Sequence, residues 1–121
     1  MLDVGELLCL DCLGMRAHIV RGHLEMLLLA VVASGAAYGY AIVEELSRRS
    51  GGEFDLPEGT IYPALYRLER GGLLRSTWDR SAGRPRRVYQ LTRAGSRALA
   101  DRRREWAHFT RAVSGILEPA R

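Results

Sequence analysis

The chain has 121 residues, which suits one domain with one core and excludes a TIM barrel or a large two-domain enzyme. Hydrophobic residues make up 47% and charged residues 26%, the balance of a globular protein and not of a disordered tail. The formal net charge of +4 hides an asymmetry: residues 1–60 carry four Arg against nine acids, residues 61–121 carry fourteen Arg against five, and Lys is absent. So uneven a charge points to a polyanionic partner for the second half.

The longest apolar run, Met26 to Ala33, falls far short of the roughly 20 residues that span a bilayer, so no membrane role is expected. Asp3 and Glu6 stand where a secretory signal would want positive charge. Two cysteines are too few for a disulfide scaffold, and the expected compartment is the cytoplasm. Residues 1–17 follow no clean period and are set apart as an N-terminal extension, either disordered or a start assigned too far upstream, with Met15 as the alternative first residue. Within and beyond it, Cys9, Cys12, His18 and His23 have the spacing C-x2-C-x5-H-x4-H. Such a set can hold zinc, or the thiols can act as a redox pair, but lone pairs of this kind more often do neither. No metal site and no cofactor are assigned.

His23 to Ser34 reads as a helix: Leu24, Leu27, Leu28 and Val31 keep helical spacing, and Met26, Leu29 and Val32 extend the apolar surface nearly all round. A second helix is expected from about Tyr40 to Arg49, stopped by Gly51-Gly52. A third runs to Gly71-Gly72, with Thr60 as N-cap and Pro63 in the first turn, where proline is harmless. A start near Pro57 is the alternative, at the cost of a proline inside the helix. Ile61, Leu65 and Leu68 form its inward stripe; Tyr62, Pro63, Tyr66, Arg67 and Arg70 fall opposite. Leu73–Trp78 and Val88–Leu91 read as the strands of a hairpin whose polar turn ends in Gly83-Arg84-Pro85-Arg86-Arg87. Thr92 then caps a long helix through about Leu117.

Three helices, a basic hairpin and a long helix make a mainly α chain on the winged helix-turn-helix plan. An outward face with a hydroxyl, two tyrosines and two arginines suits a helix lying in the major groove of DNA. The bland alternative is a solvated face with exposed aromatics. Three arginines at a hairpin tip can grip phosphates or enter a narrow minor groove, or simply keep the turn soluble. On the last helix, Leu99, Trp106, Phe109, Val113 and Ile116 recur at 7, 3, 4 and 3 residues. That stripe needs a cover: a second copy of the chain, or the first helix of the same chain. Arg102 interrupts it, which argues against a long coiled coil. Trp106 is either interface core or a stacking surface for a flat apolar ligand. His108 reads as a solvated or interface histidine. No phosphate loop, nucleophile elbow or paired carboxylates appear; Glu44 and Glu45 point about 100° apart on a helix. The chain does not read as an enzyme. A protein-interaction adaptor and a ligand or metal sensor on the same scaffold stay open as alternatives.

Gly39-Tyr40-Ala41-Ile42, the run from Leu56 to Glu69 (LPEGTIYPALYRLE), and Gly83-Arg84 with Arg87-Val88-Tyr89-Gln90-Leu91-Thr92 closely resemble the PadR family of bacterial transcriptional regulators. The resemblance covers about residues 18–117 and leaves the first seventeen unmatched. It implies a winged-helix DNA-binding domain over residues 18–92 and a dimerisation helix over 93–121, as in the short-tailed subgroup. It also implies a homodimer on double-stranded DNA with a palindromic site, acting as a repressor relieved by a small apolar or phenolic ligand. The family's DNA-facing positions fall on Tyr40, Thr60, Tyr62, Pro63, Tyr66 and Arg67 and on the wing arginines Arg84, Arg86 and Arg87. Some members place an aromatic at the position of Trp106, where two subunits can sandwich a flat apolar ligand.

Overall fold

Leu24, Leu28 and Val31 lie on one side of a helix and Leu29 and Val32 on the next, and all five are buried. The helix that carries them, α1 (residues 23–33), is therefore enclosed over most of its circumference. The computed structural model describes residues 23–119. The expected extension 1–17, with Cys9 and Cys12, as well as His18 and the first residues of the 18–92 unit, lies outside the described residues. After α1 come α2 (Gly39–Arg49), α3 (Glu58–Arg70), β1 (Leu74–Asp79), β2 (Arg86–Leu91) and α4 (Arg93–Leu117). Ile42 and Leu46 of α2, and Ile61, Ala64, Leu65 and Leu68 of α3, close the core against α1. Leu74, Tyr89 and Leu99 add one contact surface each from β1, β2 and α4. The gain from such burial is about 1.5–3 kcal/mol for each large side chain.

Two expectations need correction. The first is the start of α3, where the alternative near Pro57 holds and not Thr60 as N-cap. Pro57, in extended conformation, is its N-cap, and the Thr60 and Ile61 amides donate to the Pro57 carbonyl at 2.9 and 3.2 Å. Thr60 is thus inside the first turn, and Pro63 sits a turn deeper than predicted. Proline there has no N–H for the carbonyl of Gly59. Gly59 is exposed, so solvent can satisfy that carbonyl, and the helix tolerates the ring.

The second is the hairpin. Its register pairs Leu74 with Leu91 and continues to Trp78 with Arg87 and Asp79 with Arg86. The ladder therefore takes Arg86 and Arg87 into β2 and leaves residues 80–85 as the turn. The predicted three-arginine tip does not exist: Arg84 stays in the turn, and its two neighbours are strand residues directed to opposite faces of the sheet. A cross-strand acid opposite Arg86 favours this longer pairing over a cluster of like charges. The segment before α2 joins the sheet edge, through a bridge between Tyr38 and Val88 and the Tyr89 amide donating to the Ala37 carbonyl at 2.8 Å.

Helix α4 is docked by its first turn. Thr92 accepts from the Gly95 amide at 3.0 Å, and its hydroxyl donates to the Gly72 carbonyl at 2.6 Å. Gly95 lies directly against the Leu73 carbonyl, so any side chain at this position would collide with backbone. After Leu99 the helix leaves the core: Gly95 and Leu99 are its buried residues.

Candidate nucleic-acid interface

The inward stripe of α3 is completely buried, which fixes the rotation of the helix and turns a chosen set outward. Thr60, Tyr62, Pro63, Tyr66, Arg67 and Arg70 are all exposed. Tyr66 is 59% exposed, far more than a ring of this size keeps in a core. Arg70 Nη1 donates to the Tyr66 hydroxyl oxygen at 3.3 Å. Arg67 Nε lies 4.0 Å from Glu25 Oε1 on α1, and Arg102 Nη2 of α4 lies 3.8 Å from the other oxygen of that carboxylate. The tip of the Tyr62 ring lies against the start of α2: a Cβ at Gly39 would sit 2.6 Å from Tyr62 Cε1, so a side chain there would push the ring aside. Burial there pushes the Tyr62 hydroxyl above the ordinary phenol range, so the neutral phenol is retained.

Beside this face, the structure brings Tyr40 and Arg86 together, 46 residues apart in sequence. Arg86 Nη1 donates to the Tyr40 hydroxyl oxygen at 3.3 Å, and the guanidinium lies 4.2 Å from the centre of the Tyr38 ring. Tyr38 and Tyr40 stack with centroids 5.9 Å apart and planes 10° from parallel. Tyr38 in turn donates to Asp79 Oδ2 at 2.6 Å. Hydrogen bonds from the Ser81 and Tyr38 hydroxyls and the Ser81 amide hold the Asp79 carboxyl down to about 2. The same bond to Asp79 raises the Tyr38 phenol. Arg87 is bound on the opposite side: its Nε donates to Ser76 Oγ at 2.9 Å, and Nη2 lies 3.7 Å from Glu69 Oε2. Ser76 donates to the same Glu69 carboxylate, and the Arg87 guanidinium lies 5.1 Å from the Trp78 ring centre. Tyr38, Asp79, Glu69 and Ser76 escape a reading of the sequence. Their partners are distant in the chain, and the only local hint is the Tyr38-x-Tyr40 spacing.

A helix with an outward polar and aromatic face, backed by two helices and flanked by a hairpin, is a winged-helix arrangement. The model of the transcriptional regulator PadR-like family matches residues 28–101. The chain belongs to this family. A transcriptional regulator of Mycobacterium tuberculosis, Rv3488, is 38% identical over 95 residues, covering 78% of this chain and 86% of that protein. The crystal structure of a PadR family transcriptional regulator from Eggerthella lenta is similar at 33% identity and a TM-score of 0.78, with 96% of each chain covered. That of a PadR-like transcriptional regulator from Bacillus cereus, BC4206, gives 27% identity and a TM-score of 0.75 over 85% of this chain and 99% of that one. As a PadR-like protein, the chain is a DNA-binding transcriptional regulator and not an enzyme. Among the described residues no helix is long and apolar enough to cross a membrane.

The PadR-like regulator has a second exposed surface on α4. Trp106, Phe109, Ile116 and Leu117 are exposed, Ile116 to 82%. At its near end the stripe touches α1: the His23 ring meets Trp106 edge-on at 5.0 Å, and Trp106 and Phe109 lie 5.9 Å apart. His23, Met26, Arg102, Glu105, Trp106 and Phe109 line an open groove of ≈ 350 Å³. Packing on α1 thus accounts for the start of the stripe and leaves the rest uncovered. His108 is exposed. Among the described residues no group of three potential metal ligands comes together.

Proposed function

We propose that the protein is a homodimeric repressor that reads a palindromic operator in the cytoplasm. In this reading residues 18–92 are the DNA-binding unit, and the helix within 93–121 pairs two such units. Thr60, Tyr62, Pro63, Tyr66 and Arg67 enter or border the major groove, Tyr40 reaches the phosphate backbone, and Arg84 reaches the flank from the wing. The observation that carries this reading is the outward face of α3, where hydroxyls and guanidinium groups stand exposed on a helix whose other side is sealed in the core. Hydroxyl and guanidinium donors match phosphate oxygens, and arginine bonds guanine through two donors at once. The uncovered apolar stripe supports pairing with a second copy, since an apolar surface of this kind is seldom left to water. Two reading helices then lie about one DNA turn, roughly 34 Å, apart.

Selection of bound duplexes from a random pool tests the proposal. Recovery of an inverted repeat with half-sites one turn apart is expected; recovery of single half-sites, or of no duplex, refutes it. Effector relief rests on the groove at Trp106, whose size matches the lower end of small-ligand sites. Flat phenolic and apolar compounds should quench tryptophan emission in the wild type and not in Trp106→Phe, and should release the DNA. Emission changes that survive in Trp106→Phe would move the effector elsewhere.

A further inference from the structure

We infer that Arg86 is a positioning residue which acts on DNA through the Tyr40 hydroxyl and does not itself hold a phosphate. The inference rests on the proposed interface and assigns one of its arginines a different task. Three contacts hold Arg86. Its guanidinium lies on the Tyr38 ring, 4.2 Å from the centroid, and Nη1 donates to Tyr40 Oη at 3.3 Å. The backbone is fixed by strand pairing opposite Asp79. Its Nε is covered and makes no hydrogen bond among the described residues. A guanidinium so placed is not a mobile surface cation that can follow a phosphate.

The chemistry at Tyr40 gives the contact its consequence. A phenol has one proton to donate and lone pairs to accept with. With a cation donating to its oxygen, Tyr40 keeps its own proton for an outside acceptor. Phosphate oxygens accept and cannot donate, so they are the matching partner. Tyr38 completes the device: its hydroxyl is used inward on Asp79, and donation to a carboxylate enriches the ring face on which Arg86 lies. The pair Arg70 and Tyr66 has the same hydrogen bond at 3.3 Å, but Arg70 lies 5.8 Å from that ring and is exposed on the same helix. It lacks the second aromatic and the strand that immobilise Arg86.

The test measures affinity for the selected operator against salt, using the full chain as wild type, Tyr40→Phe, Arg86→Gln, the double variant and Tyr38→Phe. Each phosphate neutralised by an arginine contributes about 0.9 to the slope of log K against log salt, and a neutral phenol that donates to a phosphate contributes nothing to it. Arg86→Gln and Tyr40→Phe should each weaken binding about tenfold with the slope unchanged, and the double variant should bind no worse than the weaker single one. Tyr38→Phe keeps the ring and the fold; it should lose a few-fold in affinity at the same slope. A slope lowered by about two in Arg86→Gln, one lost contact of about 0.9 in each half-site, with losses that multiply in the double variant, would make Arg86 a direct phosphate ligand and overturn the inference. So would full affinity in Arg86→Gln, or in Tyr38→Phe should the glutamine variant not fold. A wild type that binds no duplex would instead remove the interface on which the inference rests.

Discussion

The protein exposes aromatic rings on two helices, and the two surfaces differ in kind. On α3, Tyr62 and Tyr66 each end in a hydroxyl and alternate with Thr60, Arg67 and Arg70. On α4, Trp106, Phe109, Ile116 and Leu117 line up with little that can hydrogen-bond across a contact. Exposure alone does not tell them apart; the chemistry of the tips does. A surface whose tips are hydroxyls and guanidinium groups is suited to a wet, charged partner such as a duplex. A surface that cannot is suited to a dry one, and a second copy of the same stripe meets that need. The contrast assigns recognition to one helix and pairing to the other.

The largest expected effect comes from breaking the dry surface. Phe109→Glu should leave a folded monomer by light scattering, since Phe109 lies outside the core. It should also weaken operator binding on the order of 100-fold, because the second half-site no longer binds intramolecularly. A stable dimer in that variant would place the pairing surface elsewhere. Changes on the wet surface should do the reverse. Arg67→Ala should cost about 1–3 kcal/mol of specific affinity per half-site with the dimer intact, and relax preference at one base pair in each. Tyr66→Phe removes a single hydroxyl and should cost about 1 kcal/mol in the same titration.

The smallest effect concerns the support of the wet surface. The Asp79 carboxyl is held down to about 2, against 3.8 when unperturbed. A depressed acid adds stability that is complete above its unfolded value and is lost as pH falls through its folded one. Asp79→Asn should therefore lower the melting temperature modestly at neutral pH, and the gap to wild type should close between about pH 4 and pH 2. A gap that persists at pH 2 would mean that Asp79 acts by packing and not by charge.

Much of this was legible beforehand because it is periodic or local. The spacing of Ile61, Leu65 and Leu68 marks the inward side of α3, so Tyr62, Tyr66 and Arg67 have to face out. Thr92 announces the start of α4 by its own side chain, which caps the Gly95 amide. The run Leu56–Glu69 carries the family resemblance in the sequence itself. What failed was the local reading of boundaries. Thr60 has the chemistry of an N-cap, but its amide and that of Ile61 bond to the Pro57 carbonyl, and Pro57 takes the cap. Gly83 and Pro85 suggested a wide turn, but pairing with Asp79 and Trp78 drew Arg86 and Arg87 into the strand.

The sequence by itself determined the order of the elements, the faces they bury, the family, and the basic character of the second half. These depend on side-chain spacing along one strand or one helix, which a chain carries with it before folding. The tertiary structure alone decided which charges are spent internally. Arg84, Arg86 and Arg87 look equivalent in a row. Folding lays one of them on Tyr38 and Tyr40, ties another to Glu69 and Ser76, and leaves Arg84 exposed in the turn. The reason is that an arginine's role is set by the nearest acid, hydroxyl or ring, and here those neighbours come from segments as far as 48 residues away.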